Sequence, residues 1–167
     1  MATNKNNFEY KLDQEITSMF NEPEMATYTP RMNKNITYSG FFEDKMLVIA
    51  AIRAGVPYSL FDVLQENAPF TEDNWADFLD ISTKSLQRYK TSEDFHFKAI
   101  HSEKIIEMAE VTTVGLDVFG SMDKLKLWLN TPSYALGNLR PIELIKDSYG
   151  KELVIAELTR INYGILV

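Results

Sequence analysis

Between residues 83 and 88 the chain reads Thr-Lys-Ser-Leu-Gln-Arg. A helix here would turn Thr83, Lys84, Ser85, Gln87 and Arg88 outward. Glutamine and arginine each offer paired groups that meet adenine and guanine edges, and a lysine ammonium suits a phosphate. That chemistry is recognition of DNA, not bond making. Sets of residues suited to catalysis are missing. There is no cysteine, and the two histidines, His96 and His101, stand five apart. On a helix that spacing separates them by about 140°, a poor metal pair beside the i, i+4 arrangement. No glycine-rich phosphate loop and no nucleophile elbow occurs. The carboxylates form no recognisable acid–base pair. The reading is therefore no catalytic residues, no metal, no cofactor and no enzyme.

A second group sits in "WLNTPSYALGNLRPIEL", Trp128 to Leu144. Prolines fix φ and glycine permits reversal, so a crowded corner of several helix ends is expected. A stiff corner displays side chains with little entropy left to lose on binding. Asn130, Thr131, Ser133, Tyr134, Asn138 and Arg140 are its candidates for contact with a partner. Trp128 and nearby Phe119 are large aromatics that fit a core better than a contact surface.

The elements behind these residues read as helices. The chain has 167 residues, 45% of them apolar, enough for one ordinary domain or two small ones. No apolar run is long enough to cross a membrane, and the polar N-terminus lacks a signal-peptide core, so a cytoplasmic protein is expected. A net charge of −7 argues against general coating of nucleic acid, though not against one local DNA-binding surface. Residues 1–40 are rich in Asn, Thr and Met and read as an arm or loosely packed segment. Residues 41–95 alternate short helices with turns. "DKMLVIAAIRAG" predicts a helix ending at Gly55, and "SLFDVLQE" another capped by Ser59. Strand alternation is absent, except for a short terminal "YGILV".

"FTEDNWADFLDISTKSLQRYK", Phe70 to Lys90, is the sharpest local pattern. Thr71 caps a helix with Glu72 and Asp73 in its first turn. Trp75, Ala76 and Leu79 make an inward stripe. "DIS" breaks the helix, and Ser82 starts the next, with Leu86 and Tyr89 turned back. The layout is a helix-turn-helix and resembles bacterial regulators of the Xre type. The turn position often held by glycine is Asp80, a residue that tolerates the left-handed conformation. The same pattern also fits two amphipathic helices whose Lys and Arg are merely solvated.

In residues 96–167, "HSEKIIEMAEVTTVGLDVFG" predicts a helix ending at Gly120, and Ser121 caps "MDKLKLWLN". Thr131 and Pro132 offer a further cap and start. "PIELIKDSYG" reads as a helix stopped by Gly150, and "KELVIAELTRINYG" as the last, ending at Gly164. Val118-Phe119-Gly120, Trp128 to Pro132, Leu136-Gly137 to Leu144, Gly150, and Arg160-Ile161 to Gly164 keep the order and spacing of one family's pattern. Over about fifty residues this region resembles the toxin-binding domain of antitoxins of the Xre/MbcA/ParS class. Asn138 stands where a second glycine is common, and asparagine also visits positive φ.

The resemblance implies an all-α type II antitoxin with an Xre-like helix-turn-helix domain (41–95) and a helical toxin-binding domain (96–167); the N-terminal arm (1–40), read from composition, has no counterpart in that pattern. The antitoxin's partner would be a RES-domain toxin that consumes NAD, bound directly over the active site. The complex would repress its own promoter through operator DNA. A homodimer is expected, since helix-turn-helix proteins usually read paired half-sites. Arg160 and the apolar tail Ile165, Leu166 and Val167 join the corner as candidate toxin contacts. Two other readings stay open. One is a transcription regulator whose C-terminal domain only dimerises, the other an adaptor with a degenerate helix-turn-helix.

Overall fold

The computed structural model describes residues 2–23, 25 and 36–164. The candidate tail Ile165, Leu166 and Val167 therefore lies outside the described residues. Ten α-helices follow in order: α1 Ala2–Phe20, α2 Tyr38–Glu43, α3 Lys45–Ala54, α4 Tyr58–Glu66, α5 Glu72–Leu79, α6 Thr83–Lys90, α7 Ala99–Phe119, α8 Met122–Leu129, α9 Pro141–Leu144 and α10 Ser148–Asn162. No strand forms among the described residues. The only sheet-like pairings there are two isolated bridges, Pro57 with His96 and Ser133 with Leu139. The expected all-α class holds.

The chain forms two compact units. One takes residues up to 67 together with 83–106, and the other takes 68–82 together with 107 onward. The first unit carries α6 and the second carries α5.

In the first unit, α1 packs on α4 and α2. The segment expected as a loose arm is thus helical over Ala2–Phe20, with Leu12, Ile16, Met19 and Phe20 buried. Those four lie on one helical face, and that stripe outweighs a polar composition. Thr17 Oγ1 donates to the Ile36 carbonyl (3.2 Å), and the Tyr38 amide donates to Asp13 Oδ1 (2.6 Å). These bonds stitch α1 to the start of α2. The helix α3 starts at Asp44, whose Oδ1 accepts from the Met46 amide, and ends at Gly55 as expected. By contrast, α4 is preceded by Pro57 with no side-chain cap. Ser59 falls inside its first turn, because Pro57 already sets the entry and the Tyr58 amide donates to the Phe95 carbonyl (2.9 Å). Buried Ser102 accepts from the Val56 amide (2.8 Å) and donates to the Phe97 carbonyl (3.2 Å), so its hydroxyl is satisfied. Around fully buried Phe61 and Phe97 gather Tyr58, Tyr89 and Phe95, with Tyr89 and Phe95 stacked at 4.0 Å. This aromatic cluster anchors the inner side of α6.

In the second unit, Phe70, Trp75 and Phe78 form an edge-to-face cluster at 5.1–6.1 Å. Leu125, Leu129, Ile145, Val154 and Leu158 are fully buried. Two expected helix boundaries shift. The helix expected from Pro141 to Gly150 stops at Leu144, and α10 begins at Ser148, so Gly150 lies inside α10 rather than ending a helix. Asp147 is the cap, its Oδ1 accepting from the Gly150 amide at 2.8 Å. Gly150 is needed for another reason: a Cβ there would collide with the Leu144 carbonyl. Thr131, expected to open a helix at Pro132, instead closes α8 by donating Oγ1 to the Leu127 carbonyl (2.7 Å).

Candidate functional site

The turn between α5 and α6 is built as its residue types require. Thr71 Oγ1 accepts from the Asn74 amide (3.1 Å), and Asn74 Oδ1 accepts from the Thr71 amide (3.0 Å), closing a reciprocal cap. Trp75, Ala76, Phe78 and Leu79 are buried. Asp80 takes φ 52° and ψ 46°, the left-handed region, and ends α5. The Ile81 amide then donates to the Ala76 carbonyl (3.0 Å), completing the reversal.

On α6, Leu86 is the buried anchor. Lys84, Gln87 and Arg88 are exposed, whereas Thr83 and Ser85 are half-buried. The Arg88 guanidinium lies 5.6 Å from the Tyr89 ring centroid. Lys90 stands 4.0 Å from Asp62. The outward face of α6 thus carries Lys84 and Arg88 with no acid on the same helix. The acids fall on α5, where Asp77 pairs with Lys146. The two histidines share no helix, since His96 lies before α7 and is 3.2 Å from Glu22. Among the described residues no group of three or more metal-ligating side chains occurs.

The corner is a closed loop. The Ser133 amide donates to the Leu139 carbonyl (3.0 Å), and the Asn138 amide donates to the Ser133 carbonyl (2.8 Å). Between them Tyr134–Leu136 makes one 3₁₀ turn, ended by Gly137 at φ 70° and Asn138 at φ 62°. Leu136 is buried and pins the loop, while Tyr134 is 81% exposed at its tip. The Arg140 amide and Nη2 both donate to Glu143 at 3.1 Å, closing the start of α9. The hydrogen bond from the Arg140 side chain, then that from its backbone, holds the Glu143 carboxyl below the usual glutamate range. The same hydrogen bond raises Arg140 further. Phe119 and Trp128 are half-buried against each other, ring centroids 5.7 Å apart.

Three of the expected contact residues meet. Tyr134, Asn138 and Arg160 line an open groove of about 530 Å³ with Ala135, Gly137 and Glu157. Arg160 Nε donates to Glu157 Oε2 at 2.9 Å, which fixes its guanidinium. Asn130 and Thr131 are not in the groove; each donates its side chain to an α8 carbonyl. Ser133 is half-buried, and Arg140 is turned to Glu143. Glu157 escaped the sequence reading. Its place three residues before Arg160 was the available signal.

Comparison with known proteins fits this layout. Residues 115–164 match the antitoxin Xre/MbcA/ParS C-terminal toxin-binding domain. Residues 47–110 match the antitoxin Xre-like helix-turn-helix domain. The helix-turn-helix match ends and the toxin-binding match begins within the single helix α7. No curated protein matches the chain. A chain of the crystal structure of the M. tuberculosis MbcT–MbcA toxin–antitoxin complex is similar in fold, with a TM-score of 0.51 and 21% identity. The match covers 64% of this chain and 94% of that one. With a helix-turn-helix domain followed by a toxin-binding domain, the chain belongs to the Xre/MbcA/ParS-type antitoxins.

Proposed function

We propose that this antitoxin binds and neutralises a RES-domain, NAD-consuming toxin in the cytoplasm, and represses its own promoter as a homodimer on operator DNA. The reading is one of binding rather than catalysis. One observation carries it: Tyr134, Asn138 and Arg160 converge on one groove within the residues matched to a toxin-binding domain. The groove is stiffened before any partner arrives, by the Ser133–Leu139 bridge on one wall and the Glu157–Arg160 pair on the other. A partner settling there finds few rotamers left to freeze, so contact area converts into affinity. Neutralisation is then coverage of the toxin's active site by a rigid surface. The solved structure of similar fold is itself a toxin–antitoxin complex, which supports a toxin as the partner.

The DNA half of the proposal rests on α6. Its exposed Lys84, Gln87 and Arg88 offer a phosphate contact and two base-edge contacts. Co-expression with a RES-domain toxin tests the first half: the toxin alone should deplete NAD and stop growth, and the pair should grow. A promoter fusion tests the second half, with repression expected only when this chain is present. Continued NAD loss in the co-expressing cells would refute neutralisation.

A further inference from the structure

The last helix carries a face that the fold leaves open. In α10, Val154 and Leu158 are fully buried. On the opposite side Tyr149 is 83% exposed, Leu153 57% and Tyr163, the residue that closes the helix, 75%. Ala156, between them, is also exposed. With Arg160 these residues follow at intervals of four, three, four and three, so on a helix they share one stripe roughly 80° wide. A lone exposed apolar residue is ordinary, but a continuous row marks a surface of contact. Its composition fits that use. Tyrosine gives large contact area with few rotamers to freeze, and the small Ala156 lets another backbone come close. Arg160 belongs both to this row and to the groove beside Tyr134, so the two surfaces are continuous.

Resting on the toxin-binding reading above, we propose that the exposed face of α10 is the main docking surface for the toxin. It lies along an apolar groove about 21 Å long on that protein, helix in groove, with Arg160 at its polar edge. The corner residues Tyr134 and Asn138 then flank this contact instead of carrying it. A second copy of the chain is the other candidate occupant of this face. Continuity with the groove, within residues 115–164, points to the toxin instead.

The test compares full-length variants for toxin affinity by calorimetry and for rescue of growth. Leu153→Asp should weaken binding by more than about 100-fold, and Tyr149→Ala or Tyr163→Ala by about 10-fold each. Tyr10→Ala, a similarly exposed tyrosine in the other unit (60%), should change neither readout. Circular dichroism and a thermal melt keep folding separate, and these side chains are exposed, so the melts should coincide. If wild type binds the toxin and Leu153→Asp binds it equally, the docking surface lies elsewhere and this inference fails while the function stands. If Leu153→Asp only lowers the mass in light scattering, the face belongs to a second copy and the inference is overturned. Loss of binding on deleting residues 165–167, with Leu153→Asp unaffected, would hand the role to the tail. A wild-type chain that binds no RES-domain toxin would remove the functional reading itself.

Discussion

Asp80 and Asn138 hold left-handed backbone where related patterns favour glycine, and both were legible because a tolerant residue type stands at a glycine position of the resembled pattern; Asp94, at φ 51° without such a marker, was not. Short polar side chains reach that region at little cost, whereas a β-branched residue pays about 1–2 kcal/mol. Asp80→Gly should therefore leave the thermal midpoint almost unchanged, and Asp80→Val should lower stability by about 1–2 kcal/mol in denaturant titration. Gly150 was legible as special but not for the right reason. Read along the chain, it looks like a helix stop. Its actual constraint is the Leu144 carbonyl, six residues back and across a turn, where a Cβ would collide. Helix propensity alone would make Gly150→Ala stabilising by about 1 kcal/mol. The collision is with backbone, which cannot swing away, and forced overpacking costs about 1–3 kcal/mol. The net expectation is destabilisation, and a raised melting temperature for Gly150→Ala would contradict the packing of α9 against α10.

The helices themselves were mostly legible, because their ends are local chemistry: Thr71 and Ser121 accept amides three residues on, as their types suggest. Less legible was the start of α9, where an arginine and a glutamate do the work. The folded Glu143 carboxyl lies below its unfolded value, so the pair's contribution is present above the ordinary glutamate range and disappears as pH falls through the lowered value. Glu143→Gln should thus melt slightly below wild type at neutral pH, and the gap should close on acidification. Equal gaps at all pH values would remove the pair from the account. On α6 the expected roles divide by exposure. Arg88→Ala should cost about 1–3 kcal/mol on operator DNA and relax preference at one base position. Lys84→Ala should weaken all DNA sequences alike and flatten the salt dependence by about one unit of slope. Binding assays over a range of salt would separate the two. If neither change alters binding, α6 is not the reading helix.

At the scale of the molecule, two features escaped the sequence for the same physical reason: both depend on partners distant in the chain. The first is the placing of α5 in the same unit as the C-terminal helices, where Asp77 meets Lys146. Spacing around "DIS" marks the turn between α5 and α6 but cannot say which unit each helix joins. The second is α1. Its Asn- and Thr-rich sequence hides Leu12, Ile16, Met19 and Phe20, whose burial makes sense only once α4 and α2 are in place. Each buried side chain of that size contributes about 1.5–3 kcal/mol. Their sum is comparable with the whole stability of a small domain, about 5–15 kcal/mol. Helix α1 lies outside both matched regions, 47–110 and 115–164, yet on this arithmetic the first unit depends on it. Removing residues 2–20 should therefore lower the melting temperature sharply or drive the protein into aggregates, as apolar surface on α4 loses its cover. A loose arm would come away with no change in the melt. The wild-type midpoint retained in the shortened chain would mean that α1 only rests on the fold, and that the helices from α2 onward hold it unaided.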